Sequence, residues 1–183
     1  MKKKLAISVL AIAMSLPTAM VAAASVGTVT FNGNINSNTC AVAINNGTAD
    51  ATVTLPTVSS SVLGSAGQTA GSTNFTMDLT GCSTGTGAAT AVRAYFESGA
   101  NVNASTGNLK NSTATGSASN VEVQLLDSAG TVLKAGDNSQ RSNPATALTS
   151  GAATLVYSAQ YYATGAATAG TVNTSVTYSI DYL

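Results

Sequence analysis

Two stretches near the ends of the chain alternate apolar and polar residues with a period of two. In the first, the apolar or small positions are Val29, Phe31, Gly33 and Ile35. In the second, the alternating positions are Val172, Thr174, Val176, Tyr178, Ile180 and Tyr182. Because successive side chains of a β-strand point to opposite faces, this period predicts two strands that each bury one face. The first stretch precedes the first cysteine and the second runs to Leu183, so we expect one strand outside the main body and one strand with an uncovered edge.

The first 24 residues have the three parts of a secretion signal. Basic residues at positions 2–4 precede an apolar run over 5–16, and Ala22 and Ala24 fit the small-residue pattern of a cleavage site. The apolar run is shorter than the ~20 residues that a membrane-spanning helix needs, which argues against an anchor. We therefore predict a signal peptide over residues 1–24 and a mature chain that begins at Ser25; cleavage one residue earlier fits nearly as well.

The charge of the mature chain argues against a nucleic-acid partner. Removal of residues 1–24 leaves four basic and seven acidic residues, a net charge of −3 (4 − 7). The four basic residues are far apart in the sequence: Arg93, Lys110, Lys134 and Arg141. Binding of nucleic acid requires clustered positive charge, because the phosphates must be neutralised.

The residue types that most catalytic and metal sites require are missing or scattered. The sequence has no histidine, so no Ser–His or Cys–His pair can form, and its carboxylates occur singly. The only cysteines are Cys40 and Cys82. Two cysteines in an exported chain predict one disulfide, whereas two isolated thiols without histidine do not suit a metal. We expect no enzyme activity and no cofactor.

Short strands separated by turn residues follow one another along the chain. We predict strands at 39–44, 51–55, 75–79, 92–97, 121–125, 132–133, 155–162 and 172–182, with a further short strand near Leu109. Asn46-Gly47 and residues 127–130 predict turns. Residues 57–73, 83–90, 102–119 and 135–151 predict loops, the first with a short helical turn. This spacing predicts one domain with an antiparallel β-sandwich.

Four segments and two single residues together match the sequence pattern of a known protein family. The segments are Gly27–Ile35 (GTVTFNGNI), Cys40–Val42, Asn120–Asp127 (NVEVQLLD) and Gln160–Gly170. They resemble subunits of chaperone–usher pili, and among these the major rod subunits of type 1 fimbriae. That family also has a glycine fourteenth from the C-terminus and a penultimate tyrosine, which correspond here to Gly170 and Tyr182. The resemblance covers the whole mature chain.

The resemblance implies an all-β fold: an incomplete immunoglobulin-like β-sandwich with six strands of its own, completed by a strand donated by a neighbouring subunit. It divides the chain into a removed signal (1–24), an N-terminal donor-strand extension (25–36) and a pilin domain (37–183). The implied partners are identical subunits in a helical homopolymer, a periplasmic pilus chaperone, an outer-membrane usher, and tip or adaptor subunits. The implied location is an extracellular, cell-surface fimbria that is reached through the periplasm.

The resemblance also assigns roles to the two alternating stretches. The donor strand is expected to use Val29, Phe31, Gly33 and Ile35, with the glycine passing over a shallow part of the groove. The acceptor groove is expected to involve Gly170, Val172, Val176, Tyr178, Ile180 and Tyr182. The pattern alone is equally compatible with residues 27–35 as the first strand of their own domain, and with Gly170 as an ordinary turn glycine.

The sequence therefore supports a structural subunit of a bacterial fimbria that polymerises by donor-strand exchange and supports adhesion and biofilm formation. The alternative is a minor or adaptor pilin, or a pilin whose body binds a host ligand directly. Aromatic residues in the predicted strands are expected to serve the core or subunit contacts more than a sugar site. They are Tyr95, Phe96, Tyr157, Tyr161 and Tyr162.

Overall fold

A computed structural model describes residues 28–32 and 39–183. Residues 28–32 and residues 39–183 belong to two separate units. In the first unit, Val29 and Phe31 are 75% and 89% exposed, and residues 28–32 are in no assigned strand. Gly33 and Ile35, the other two positions predicted for the donor strand, lie outside the described residues. Among the described residues, no helix has the length and the apolar character that crossing a membrane requires.

Six strands of the second unit form one antiparallel sheet. They are β1 (Ala41–Ile44), β2 (Thr69–Thr80), β4 (Leu109–Lys110), β5 (Val121–Leu126), β6 (Val132–Leu133) and β8 (Ala153–Ala163). Their order is β1-β2-β8-β5-β4, and β6 also pairs with β5. The predicted turn at residues 127–130 is confirmed: the Gly130 N–H donates to the Asp127 carbonyl and joins β5 to β6.

A second, smaller sheet faces the first. It contains β3 (Ala91–Phe96), β7 (Thr146–Ala147) and β9 (Tyr178–Tyr182), in the order β7-β3-β9. Strand β3 pairs with β9 in antiparallel register from Val92↔Tyr182 to Phe96↔Tyr178. Three of the nine described strands have only two residues, so six strands of four residues or more build the sandwich.

The side of β3 that faces away from β9 is closed. Strand β7 pairs with the first two residues of β3. At the other end of β3, the side chain of Gln140 bonds to the backbone in place of a strand. The Phe96 N–H donates to Oε1 of Gln140, and Nε2 of Gln140 donates to the Phe96 carbonyl, both at 3.0 Å. One buried amide thus satisfies two backbone groups that would otherwise attract another strand. The edge of β9 has no such cover among the described residues.

The apolar core lies between the two sheets. The inward residues of β2, β3, β5 and β8 supply most of it, as the period of two requires. Phe75, Phe96 and Tyr157 form its aromatic centre, with ring centroids 5.2–6.5 Å apart. The hydroxyl of Tyr157 accepts from the Ala94 N–H at 3.0 Å, so its burial leaves no unpaired polar group. The expectation that Phe96 and Tyr157 serve the core is confirmed.

The predicted disulfide is formed. Cys40 immediately precedes β1 and Cys82 lies two residues beyond β2, and these strands are antiparallel neighbours with Ala41 opposite Thr80. The disulfide therefore links the start of β1 to the end of β2.

The prediction of a strand at 51–55 is wrong. Residues 51–55 are outside every assigned strand, and their backbone groups make no hydrogen bond within the described part of the chain. Their half-buried side chains, Val53 and Leu55, still pack against the core. The alternation thus reported correctly which side chains are buried, but a strand also needs a hydrogen-bonded neighbour, which is missing here.

Two other predicted boundaries are wrong. The last strand covers Tyr178–Tyr182, not 172–182, because residues 172–177 make only isolated hydrogen bonds instead of a regular ladder. The loop predicted over 57–73 ends earlier, since β2 begins at Thr69. A bulge between Ala70 and Thr73 lets the start of β2 pair with β8, and Gly71 there has a φ of +66°. The helical turn expected in this loop is present at Ser60–Leu63.

Loss of the disulfide should destabilise the body strongly. The cysteines are 42 positions apart, and closing a loop of that length stabilises a fold by roughly 4 kcal/mol in the chain-entropy model. We expect the double variant Cys40→Ser/Cys82→Ser to lose about this much free energy of unfolding in a urea titration. Wild-type protein in reductant is the matched control and should unfold at the same urea concentration as the variant. An unchanged midpoint in both would contradict a stabilising role for the bond.

Candidate functional site

An open groove of about 740 Å³ runs along the body where the two sheets separate. Its floor is formed by buried apolar residues of both sheets: Phe75, Met77, Phe96, Leu109, Val123, Leu125 and Ala159. Residues 49–55 form one side, which we call the N-terminal lip, and residues 172–178 form the other, the C-terminal lip.

The C-terminal lip is extended and turns alternate residues toward the groove. Val172, Thr174, Val176 and Tyr178 are half-buried, whereas the residues between them are exposed. Because the backbone N–H and C=O of one strand residue point to the same side, alternate residues also offer their backbone groups to opposite edges.

The odd-numbered residues of the C-terminal lip use their backbone groups on the side away from the groove. The carbonyls of Asn173 and Thr177 accept from the N–H groups of Ser112 and Glu97 at 3.0 and 2.9 Å. The Asn173 N–H donates to Oδ1 of Asn111 at 2.7 Å. By contrast, the backbone groups of Val172, Thr174 and Val176 have no partner among the described residues. The lip therefore presents a row of free donors and acceptors to the groove.

The N-terminal lip is open in the same way. The backbone groups of residues 51–55 make no hydrogen bond within the described ranges, although Val53 and Leu55 pack on the core. Two extended segments with unpaired backbone thus flank an apolar floor. Because unpaired backbone groups are costly to bury, the arrangement suits the addition of one extended strand that pairs with both lips.

Two tyrosines of β9 bond to the N-terminal part of the body at one end of the groove, and the first of them, Tyr178, joins the two lips. The Tyr178 hydroxyl donates to the Ala49 carbonyl at 2.9 Å, and the Tyr182 hydroxyl accepts from the Cys40 N–H at 3.1 Å. Burial raises the pKa of Tyr178, and the negative charge of Asp50 raises it further, so this hydroxyl stays protonated and can donate at neutral pH. The groove is therefore bridged beside Tyr178.

Gly170 fixes where the C-terminal lip begins. The chain crosses residues 117–118 at this point, and the Ala118 N–H donates to the Thr171 carbonyl at 2.9 Å. A Cβ on Gly170 would lie 2.6 Å from the carbonyl carbon of Ser117 and would collide with the nitrogen of Ala118. Glycine is required here because two backbone segments are in contact.

The structure brings most of the predicted acceptor residues together. Val172, Val176 and Tyr178 line the groove, while Ile180 and Tyr182 pack against the core beyond its bridged end. Sequence reasoning did not find the N-terminal lip as part of the site. The alternation of Val53 and Leu55 before Pro56 was the available signal, but it was interpreted as an internal strand. Thr174 was not included among the predicted acceptor residues, because it is the polar member of an apolar row.

Comparison with known proteins places the chain in a family. The model of the FimA family, described as type-1 fimbrial protein, A, matches residues 55–183. The major fimbrial subunit SMF-1 of Stenotrophomonas maltophilia (strain K279a) is 44% identical over 168 residues, covering 89% of this chain and 96% of that protein. The F17 fimbrial protein of Escherichia coli is 46% identical over 160 residues, covering 85% and 87%.

Two solved structures have the same fold. A subunit from the structure of a chaperone–usher pilus aligns with a TM-score of 0.60 and 21% identity over 93% of this chain and 100% of that one. The P pilus rod subunit PapA aligns with a TM-score of 0.58 and 21% identity, covering 79% of this chain and 99% of that one. The body is thus an incomplete immunoglobulin-like sandwich.

The chain belongs to the type-1 fimbrial protein A family. It is a structural subunit of a surface fimbria and not an enzyme. The resemblance to chaperone–usher pilus subunits drawn from the sequence is confirmed.

Substitution of Gly170 should displace the C-terminal lip, which is a larger change than the strain of one turn. We expect Gly170→Ala to lower the free energy of unfolding by about 2 kcal/mol or more, because the new Cβ must push the C-terminal lip away from residues 117–118. Thermal unfolding of the variant measures this loss. Gly130→Ala is a suitable comparison, since it tests a glycine at a positive φ (+79°) with open space around its Cβ. A Gly170→Ala variant more stable than Gly130→Ala would contradict the close approach.

Proposed function

We propose that this chain is the main repeating subunit of its fimbria and that it polymerises by donor-strand exchange. Residues 27–35 of one copy, which we call the donor arm, would occupy the groove of the next copy, and the repetition would build a helical homopolymer. The observation that carries the proposal is the groove itself, whose two lips offer unpaired backbone groups on either side of an apolar floor.

The alternation of apolar and polar residues in the donor arm suits this groove. Val29, Phe31 and Ile35 would enter it as alternate side chains, while Thr30 and Asn32 would stay on the solvent side. Val29 and Phe31 are largely exposed in the single subunit. Burial of three such side chains contributes roughly 5–9 kcal/mol as an upper bound. Each ladder hydrogen bond adds about 0.5–1.5 kcal/mol.

An open groove also explains why other proteins would be needed before assembly. A subunit with unpaired strand edges beside an apolar groove is prone to wrong associations. We infer that a periplasmic pilus chaperone covers the groove after residues 1–24 direct export. An outer-membrane usher would then exchange that cover for the arm of the next subunit, and tip or adaptor subunits would cap the fibre. Surface display would support adhesion and biofilm formation.

A charge placed on the inward face of the arm should stop polymerisation. We expect Phe31→Asp to abolish fibres, because its carboxylate would be buried against the apolar floor without a partner. The measurement is gel electrophoresis of surface-sheared protein in detergent without boiling, together with negative-stain electron microscopy. Wild-type protein should give a ladder of multimers that collapses to one band on boiling.

Thr30→Asp is the matched control, since it adds the same charge one position along, on the face that should point to solvent. It should polymerise nearly as well as wild type. Normal fibres from Phe31→Asp, or equal loss of fibres in both variants, would contradict strand donation by this arm.

A further inference from the structure

One asparagine side chain holds the start of the C-terminal lip from its outer side. Asn111 follows directly on β4 and is half-buried. Its Nδ2 donates to the carbonyls of Ala118 and Thr171 at 2.8 and 3.0 Å. Its Oδ1 accepts from the N–H groups of Ser112 and Asn173 at 2.8 and 2.7 Å. An asparagine amide has two N–H donors and two acceptor lone pairs, so this side chain uses its full capacity, all of it on backbone groups.

A second asparagine holds the middle of the same lip. Nδ2 of Asn101 donates to the hydroxyl and to the carbonyl of Ser175 at 3.0 and 3.4 Å. The carbonyl of Asn101 accepts from the Lys110 N–H at 2.7 Å, so Asn101 is itself fixed to the edge of β4. Together with the bond from the Glu97 N–H to the Thr177 carbonyl, these contacts hold each odd-numbered residue of the lip.

These bonds do for the lip what a neighbouring strand does elsewhere in the body. Residues 172–177 belong to no assigned strand, yet they are held in an extended form with the side chains of Val172, Thr174 and Val176 turned toward the groove. A free segment of this length would have many conformations, and fixing one of them when a strand binds costs conformational entropy. A segment that is fixed beforehand does not incur that cost on binding.

We propose that Asn111, assisted by Asn101, is a positioning residue for strand addition, because it fixes the C-terminal lip in the form that an incoming strand requires. The inference rests on donor-strand exchange as proposed above. Asn111 is not among the residues that line the groove, and it acts through the backbone of Thr171 and Asn173. The affinity of the groove for a strand is thus set in part by a side chain outside the groove.

A positioning role and a merely structural role predict different results for Asn111→Ala. If the four bonds only stabilise the fold, their loss destabilises the empty and the filled subunit equally, and the affinity for the donor arm is unchanged. If the bonds hold the lip in advance, the empty variant gains a freedom that the filled variant must give up. The affinity for the donor arm then falls.

The experiment titrates a synthetic peptide of residues 27–35 (GTVTFNGNI) into the unassembled mature chain, at concentrations where the chain stays monomeric. We expect Asn111→Ala to bind the peptide about tenfold more weakly than wild type, the effect of ordering roughly one backbone residue on binding. Asn103→Ala is the matched control, since Nδ2 of Asn103 donates to Oε1 of Glu122 at 2.7 Å and its bonds do not reach the lip. It should lower the unfolding midpoint and leave the affinity unchanged.

Asn101→Ala is a second test, at an exposed position where a substitution does not threaten folding. It removes only the bonds to Ser175 and should weaken peptide binding by about threefold, the net effect of one hydrogen bond. Wild-type affinity in a folded Asn111→Ala would overturn the inference, as would equal weakening by Asn103→Ala. If Asn111→Ala does not fold, wild-type affinity in Asn101→Ala overturns it. If wild-type protein does not bind the peptide, strand donation into this groove has failed, and the inference fails with it for that separate reason.

Discussion

The unpaired backbone of the C-terminal lip is the constraint on which the rest of the structure depends. The odd-numbered residues of this lip make their hydrogen bonds with residues 97–112, so the backbone groups of Val172, Thr174 and Val176 face the groove. The free backbone groups and the apolar groove follow the same line, since the free edge and the inward side chains belong to the same residues. The apolar floor and the free edge are therefore one feature, and a single added strand would satisfy both.

The smaller sheet is closed on the side away from this lip. The opposite side of β3 is closed by β7 and by the buried amide of Gln140, which bonds to both backbone groups of Phe96. The disulfide between Cys40 and Cys82 holds the strands beside the N-terminal lip.

Much of this architecture could be predicted from the sequence, because side-chain periodicity reports burial. The alternation at 75–79, 121–125 and 155–162 gave strands that the structure confirms, and the two cysteines gave the disulfide. The same periodicity failed at 51–55 and 172–177. There the side chains alternate as in a strand, but the hydrogen-bonded neighbour that defines one is missing. These two segments have the sequence pattern of a strand without the backbone pairing of one.

Two further features could not be derived from the pattern. The bulge that starts β2 at Thr69 depends on Gly71 packing against Tyr161, a contact between residues far apart in sequence. The unpaired hydroxyl of Thr174 is visible only when the surroundings of the lip are known. Sequence periodicity shows which residues share a face, but it does not show which polar atoms on that face lack a partner.

The most direct test of the central claim is backbone amide hydrogen exchange at Val172, Thr174 and Val176, measured in the unassembled mature subunit and in intact fibres. The account predicts rapid exchange at all three amides in the subunit, because they have no acceptor, and strong protection in the fibre, where the arm of a neighbouring copy supplies one. The amide of Asp181 provides an internal comparison within β9, because Asp181 lies opposite Arg93 and its backbone faces β3, on the same side as the Thr177 carbonyl that accepts from Glu97. It should be protected in both states. Protection of the three amides already in the lone subunit, or rapid exchange that persists in the fibre, would contradict the account.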